Sequence, residues 1–172
     1  MWVDDASAGW LGLPATGSWH LATLEPSKGA GLATQPALMA SLAHERNTSF
    51  IFRGKFVLSK VLCQQFGAPP ANATAVFASL PLPPNPTGRE QSAQINQNPA
   101  CAGCHTTINP VGLAFEHFDA TGRYQATYAS GKAIDTAGQV QLGSSPLAFT
   151  DPATLMAEVG QRPEAVACFS KQ

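Results

Sequence analysis

The stretch Asn98-Pro99-Ala100-Cys101-Ala102-Gly103-Cys104-His105 decides how the rest of the chain is read. It contains C-x-x-C-H, the spacing of a c-type haem attachment. Thiols three residues apart sit about one helical turn apart, so both reach the vinyl groups on one edge of a porphyrin. The adjacent His105 then offers an imidazole to the iron. Ala102 and Gly103 are small enough for the turn to lie against the ring. The motif predicts one covalent haem c on Cys101 and Cys104, with His105 as proximal ligand. Two other chemistries use Cys-x-x-Cys. A dithiol redox site opens a helix after a strand in a βαβ unit, and no such pattern surrounds this one. A zinc site needs further ligands, and the two other cysteines, Cys63 and Cys168, do not form a second Cys-x-x-Cys.

Just beyond the motif, Asn109-Pro110 predicts a loop that returns a backbone carbonyl to the second ring nitrogen of His105, the orientation a metal-bound imidazole requires. Pro110 would fix the bend and contact the haem, and Gly112 would allow close approach to the ring. Leu113, Phe115 and Phe118 supply an apolar wall, a role that plain core residues of the same type fill equally well.

Further out, the composition limits the fold. The chain has 172 residues, 44% of them hydrophobic and 12% charged, with 15 Gly and 14 Pro. That suits one domain, or one domain plus a small appendage, built from short helices and much loop. A net charge of −1 and the absence of any Lys/Arg run exclude a nucleic-acid footprint. No apolar run approaches the ~18 residues of a membrane span. The first ten residues hold Asp4 and Asp5 and lack the basic and apolar regions of an export signal, so the chain reads as a mature fragment, an internal piece, or a chain whose export signal has been removed.

Periodicity predicts helices over 34–43 and 52–65, the second with Phe52, Phe56, Val57, Val61 and Leu62 at helical spacing. Residues 68–88 hold six prolines and predict a meandering connection without an element. A polar helix follows over 88–98. Residues 132–142 predict a hairpin turning at Thr136-Ala137-Gly138. Asp151 as N-cap with Pro152 behind it opens a helix over 151–159, and a last one spans 163–169.

The run from Asn98 to Tyr124, NPACAGCHTTINPVGLAFEHFDATGRY, resembles the haem-motif segment of the planctomycete-type cytochrome c family, exported multi-domain bacterial proteins of unknown function. Gly31-Leu-Ala-Thr-Gln-Pro36, Thr48-Ser49, Arg53 to Cys63, and Ile134-Asp-Thr-Ala-Gly138 leading to Cys168 match in the same order. The resemblance implies a haem c domain over 29–125. Residues 1–28 would be the tail of a preceding domain, and 126–172 part of an appended C-terminal one. It implies a periplasmic or extracellular setting. In two places the chain departs from the family: Ile95 stands where a His is frequent, and His117 where Asn is usual. The expected fold is mainly α, a c-type cytochrome-like helical haem domain with long Pro-rich loops and a small C-terminal β-hairpin/helix appendage.

In that setting the expected function is monohaem electron transfer to a redox partner protein or a neighbouring cytochrome subunit. The alternatives are a haem-stapled structural subunit and a peroxidase-like enzyme. Cys63 and Cys168 are expected to form a disulfide, since both lie outside the haem motif and the compartment is oxidising. The sixth iron ligand would decide the chemistry. His44, in a region where the family often shows His, leads; Met39 and Met156 follow, with His20, His117 and an open iron behind. Arg53 and Arg123 are candidates to pair with haem propionates through the guanidinium fork.

Overall fold

The computed structural model describes residues 2–143 and 145–171. Its organising element is a 15-residue helix, α6 (Pro99–Leu113), which begins at the cysteine motif. Helix α6 is where the sequence-based expectation of a loop at Asn109-Pro110 gives way. Pro110 lies inside the helix, where it removes one N–H from the ladder, and the chain continues helical to Leu113.

Two helices pack on it. Helix α5 (Gly88–Gln97) opens with a reciprocal capping box. The Thr87 hydroxyl accepts from the Glu90 N–H, and the Glu90 carboxylate accepts from the Thr87 N–H. Helix α3 (Phe50–Phe56) is capped by Ser49 and runs into a π-helical turn over Val57–Val61. Its buried face is Phe50, Arg53, Gly54, Val57 and Leu58; Phe52 is 45% exposed. The apolar stripe therefore sits to one side of the one that spacing alone predicts. Close approach explains the shift. A Cβ on Gly112 would overlap the Phe50 carbonyl, and one on Gly54 would overlap the Ile108 carbonyl, so α3 and α6 cross backbone to backbone. Gly112 thus serves the helix crossing, where the sequence suggested a ring contact.

The shorter elements fill in around this pair. Helix α1 (Asp5–Trp10) and the two-residue strands β1 (Trp2–Val3) and β2 (His20–Leu21) form an N-terminal unit with its own core of Val3, Ala8 and Leu11. Helix α2 (Pro36–Ser41) follows. Thr34 does not cap it; its hydroxyl accepts from the Ala30 N–H instead. A short helix α4 (Ala73–Ala78) interrupts the Pro-rich stretch and buries none of its residues.

The C-terminal hairpin pairs β3 (Gly138–Leu142) with β4 (Ser145–Phe149), antiparallel, Val140 opposite Leu147. The turn lies beyond Leu142, later than Thr136-Ala137-Gly138 suggested. Helices α7 (Pro152–Gly160) and α8 (Pro163–Phe169) close the chain, α7 with Asp151 as N-cap and Pro152 in the first turn, as expected. The box partner is Thr154.

A mainly α fold is not what forms. The structure is 46% helix and 11% strand, a mixed fold with two small two-stranded sheets. Val140, Leu142, Leu147 and Phe149 join Val57, Leu58, Val111 and Phe115 in one buried cluster. The hairpin is thus a wall of the core; it buries apolar area that short, Pro-broken helices leave uncovered. The Cys63–Cys168 disulfide forms as expected, and ties the end of the π-helical turn to α8.

Candidate functional site

The site is built by the corner between α5 and α6. Asn98, extended at ψ 116°, turns the chain, and its side chain accepts from the Ala100 N–H. Pro99 then occupies the first helical turn, where a missing N–H costs nothing. The cysteine motif is therefore helical from its start. Cys101 and Cys104 stand one turn apart as free thiols, Cys101 half-buried and Cys104 exposed. Cys101 packs with Leu80 against the buried trio Phe50, Ile95 and Leu113, an apolar wall drawn from α3, α5 and α6.

His105 is half-buried, and its Nδ1 lies 2.8 Å from the Asn109 side-chain Oδ1. Asn109 is fully buried. Its Nδ2 donates to Ser92 Oγ (3.1 Å) and Asn96 Oδ1 (3.5 Å), both on α5. The sequence reading expected a backbone carbonyl from a loop; the helix places a side-chain amide there instead. The signal for it was present, because His105 and Asn109 are four residues apart and share a helix face.

The other candidates are committed elsewhere. Arg53 is fully buried, its guanidinium caging four backbone carbonyls. Nη1 donates to Phe115 O (2.8 Å) and Phe118 O (2.6 Å), and Nη2 to Met39 O (3.3 Å) and Asp119 O (2.9 Å). Burial pulls its pKa down to about 10, against the opposing charges of Glu116 and Asp119. It pins α3 to the 115–119 turn, and no donor is left for a propionate except an enclosed Nε. Arg123 is exposed and stacks over Trp10, 5.4 Å from the ring centre.

His44 is exposed, its ring 4.9 Å from Phe52. Phe52 is two residues from both Phe50 and Gly54, about 200° round the helix, so it faces away from the α6 crossing. His44 therefore packs on the solvent-facing side of α3, not at its crossing with α6. Met39 is sealed in the core, and Met156 packs against that core. His117 Nδ1 meets the Gln125 carbonyl at 2.8 Å, its ring stacked on Tyr124. His20 Nδ1 is engaged with Thr16 Oγ1 (2.7 Å) and Ser18 O. Pro110 is half-buried one residue beyond Asn109 on α6.

Sequence reasoning missed Glu116, which is buried at 1% exposure. Its Oε2 accepts from Tyr128 Oη (3.1 Å) and Thr48 Oγ1 (3.5 Å), while Oε1 has no partner among the described residues. Burial raises its pKa, partly offset by Arg53. Burial and the neighbouring Glu116 raise that of Tyr128 as well.

The residues fit a haem c better than the rival groups. A zinc site would need thiols that the Cys63–Cys168 disulfide has consumed. A thioredoxin-like dithiol needs a parallel βαβ frame, and both sheets here are antiparallel. The motif thiols are unpaired, separated by one turn, and followed by an imidazole with one nitrogen already held. Residues 29–128 match the family model PSCyt3, described as a protein of unknown function (DUF1588). No curated protein and no solved structure matches the chain.

Proposed function

We propose that this chain, which belongs to the PSCyt3 family (DUF1588), is a monohaem c-type cytochrome domain that transfers electrons in an exported bacterial protein. One observation carries the reading. A single helix presents two free thiols one turn apart and an imidazole whose Nδ1 is held by Asn109 Oδ1. The family name, which points to cytochrome-type proteins, agrees with it.

Each residue then has a defined task. Cys101 and Cys104 would hold the haem: each Sγ–H would add across one vinyl double bond, the sulfur to one carbon and the proton to the other, so that no oxidant is needed. His105 would hold the iron through the nitrogen that Asn109 leaves free. When bound, the haem supplies a one-electron couple. The wall of Leu80, Phe50, Ile95 and Leu113 beside Cys101 would keep water from the haem edge held there. The disulfide matters too, because it removes Cys63 and Cys168 from competition for vinyl groups. It also suits a compartment outside the cytoplasm, and none of the described helices is long and apolar enough to cross a membrane.

The test is export of the chain in a host that has a cytochrome c maturation system. The intact mass should rise by one haem and survive acid–acetone extraction, and Cys101→Ser/Cys104→Ser should abolish the gain. The loaded chain should show one reversible redox wave. An unmodified mass with both motif thiols open to alkylation overturns the proposal.

A further inference from the structure

The environment of the proximal imidazole supports a more specific statement, which rests on the haem reading for its second half only. Asn109 is fully enclosed, and three polar groups converge on its amide. His105 Nδ1 stands at 2.8 Å from Oδ1, Ser92 Oγ at 3.1 Å from Nδ2, and Asn96 Oδ1 at 3.5 Å from Nδ2. The amide's orientation and the histidine's tautomer are coupled. With Oδ1 toward the ring, Nδ1 must carry the proton and Nε2 keeps its lone pair. With the amide reversed, its oxygen would face the Asn96 carbonyl oxygen, and Nδ1 would become the acceptor. Asn96 Oδ1 disfavours the reversed state, since two acceptors would meet with no proton between them.

We propose that Asn109, set by Ser92 and Asn96 of α5, is the positioning residue that locks His105 in its Nδ1–H tautomer and presents Nε2 as the iron-binding nitrogen. The acceptor is a neutral amide, so it orients the imidazole without adding the electron density that a carboxylate partner would push into the ring. The device links two helices. Ser92 and Asn96 belong to α5, His105 and Asn109 to α6, and the Asn98 corner joins them. The proximal ligand is thus set by the helix that precedes the motif. Any shift of α5 along α6 would reach the iron's ligand through one buried amide.

Two measurements test this, one independent of haem. In the full chain before haem attachment, at about pH 8 where an ordinary imidazole is neutral, long-range nitrogen–proton NMR reads the His105 tautomer. The Nδ1–H form should outweigh the other by about tenfold, since one buried neutral hydrogen bond is worth roughly that ratio. Asn109→Leu should reverse the preference. Ser92→Ala, a milder change that keeps the fold, should lie between. In the haem-loaded chain, Asn109→Asp should favour the ferric state by about tenfold, or ~59 mV lower in potential for one electron, because a charged acceptor bonds about twice as strongly. Asn109→Leu should move the potential the other way. A wild-type chain dominated by Nε2–H overturns the proposal, as do Asp and Leu variants whose potentials shift together or not at all. A chain that takes up no haem removes the functional reading but leaves the tautomer result to decide this one.

Discussion

Substituting Gly112→Ala in the haem-free chain tests whether the fold depends on backbone contact between α3 and α6. The new Cβ would overlap the Phe50 carbonyl oxygen and lie 3.0 Å from the Gly54 nitrogen. Both neighbours are main chain and cannot rotate aside, so α3 must move off by about 1 Å. Five side chains buried around this crossing are Phe50, Val57, Leu58, Ile108 and Val111. Burying each is worth roughly 1.5–3 kcal/mol. A gap of 0.5–1 Å forfeits about a quarter to a half of the contact attraction. At the lower fraction the loss is about 2–4 kcal/mol, offset by the ~0.5–1 kcal/mol that Ala gains over Gly in a helix. The net, about 1–3.5 kcal/mol, is in the range expected for overpacking. For a chain of this size that lowers Tm by roughly 2–14 °C. Gly103→Ala is the internal control. It lies on the same helix with nothing within 4 Å of its Cβ position, and should stabilise slightly. Urea and thermal unfolding, followed by circular dichroism, read both. If Gly112→Ala unfolds within about 0.5 kcal/mol of the unsubstituted chain, or matches Gly103→Ala, the tight crossing is wrong.

The disulfide and Glu116 carry further tests. Alkylating the non-reduced, haem-free chain should label Cys101 and Cys104 and leave Cys63 and Cys168 untouched; Cys168→Ser should lower stability by about 2–5 kcal/mol, as expected for a bridge spanning 105 residues. Glu116 has its pKa raised by burial, so the folded state holds that proton more tightly than the unfolded state. Its contribution is complete below the unfolded value of about 4.5 and is lost as pH climbs toward the folded one. Urea midpoints from pH 4 to 7 should carry a downward slope from this group, and Glu116→Gln should remove it; an unchanged slope would show that Glu116 ionises freely.

The motif, its helical register and several boundaries were legible because local chemistry sets them. Asn98-Pro99 and Asp151-Pro152 each supply a side-chain acceptor and a residue that needs no N–H donor, so α6 and α7 start where short-range rules place them. The Cys63–Cys168 pairing was legible too, from cysteine count and the expected compartment. Other features depended on partners distant in sequence. Arg53 reads from the sequence as a candidate propionate clamp. Its burial was decided by four carbonyls, three of them at residues 115–119, that needed a common donor. Glycine permits close approach but does not say to what, and so Gly112 was assigned to a ring when it meets a helix.

The sequence alone, then, determined that Cys101, Cys104 and His105 fall together on one helix, the thiols a turn apart, since a three-residue spacing becomes one helical turn wherever a helix forms. Tertiary structure decided what surrounds that triad. It drew the hairpin into the core and made the fold mixed, and it set the His44 ring against the half-exposed Phe52. It also brought Ser92 and Asn96 onto Asn109. The hairpin and amide contacts join residues 13 or more apart, where the free energy comes from burying shared apolar area and from pairing polar groups that burial would otherwise strand. No local pattern encodes which partner will be there.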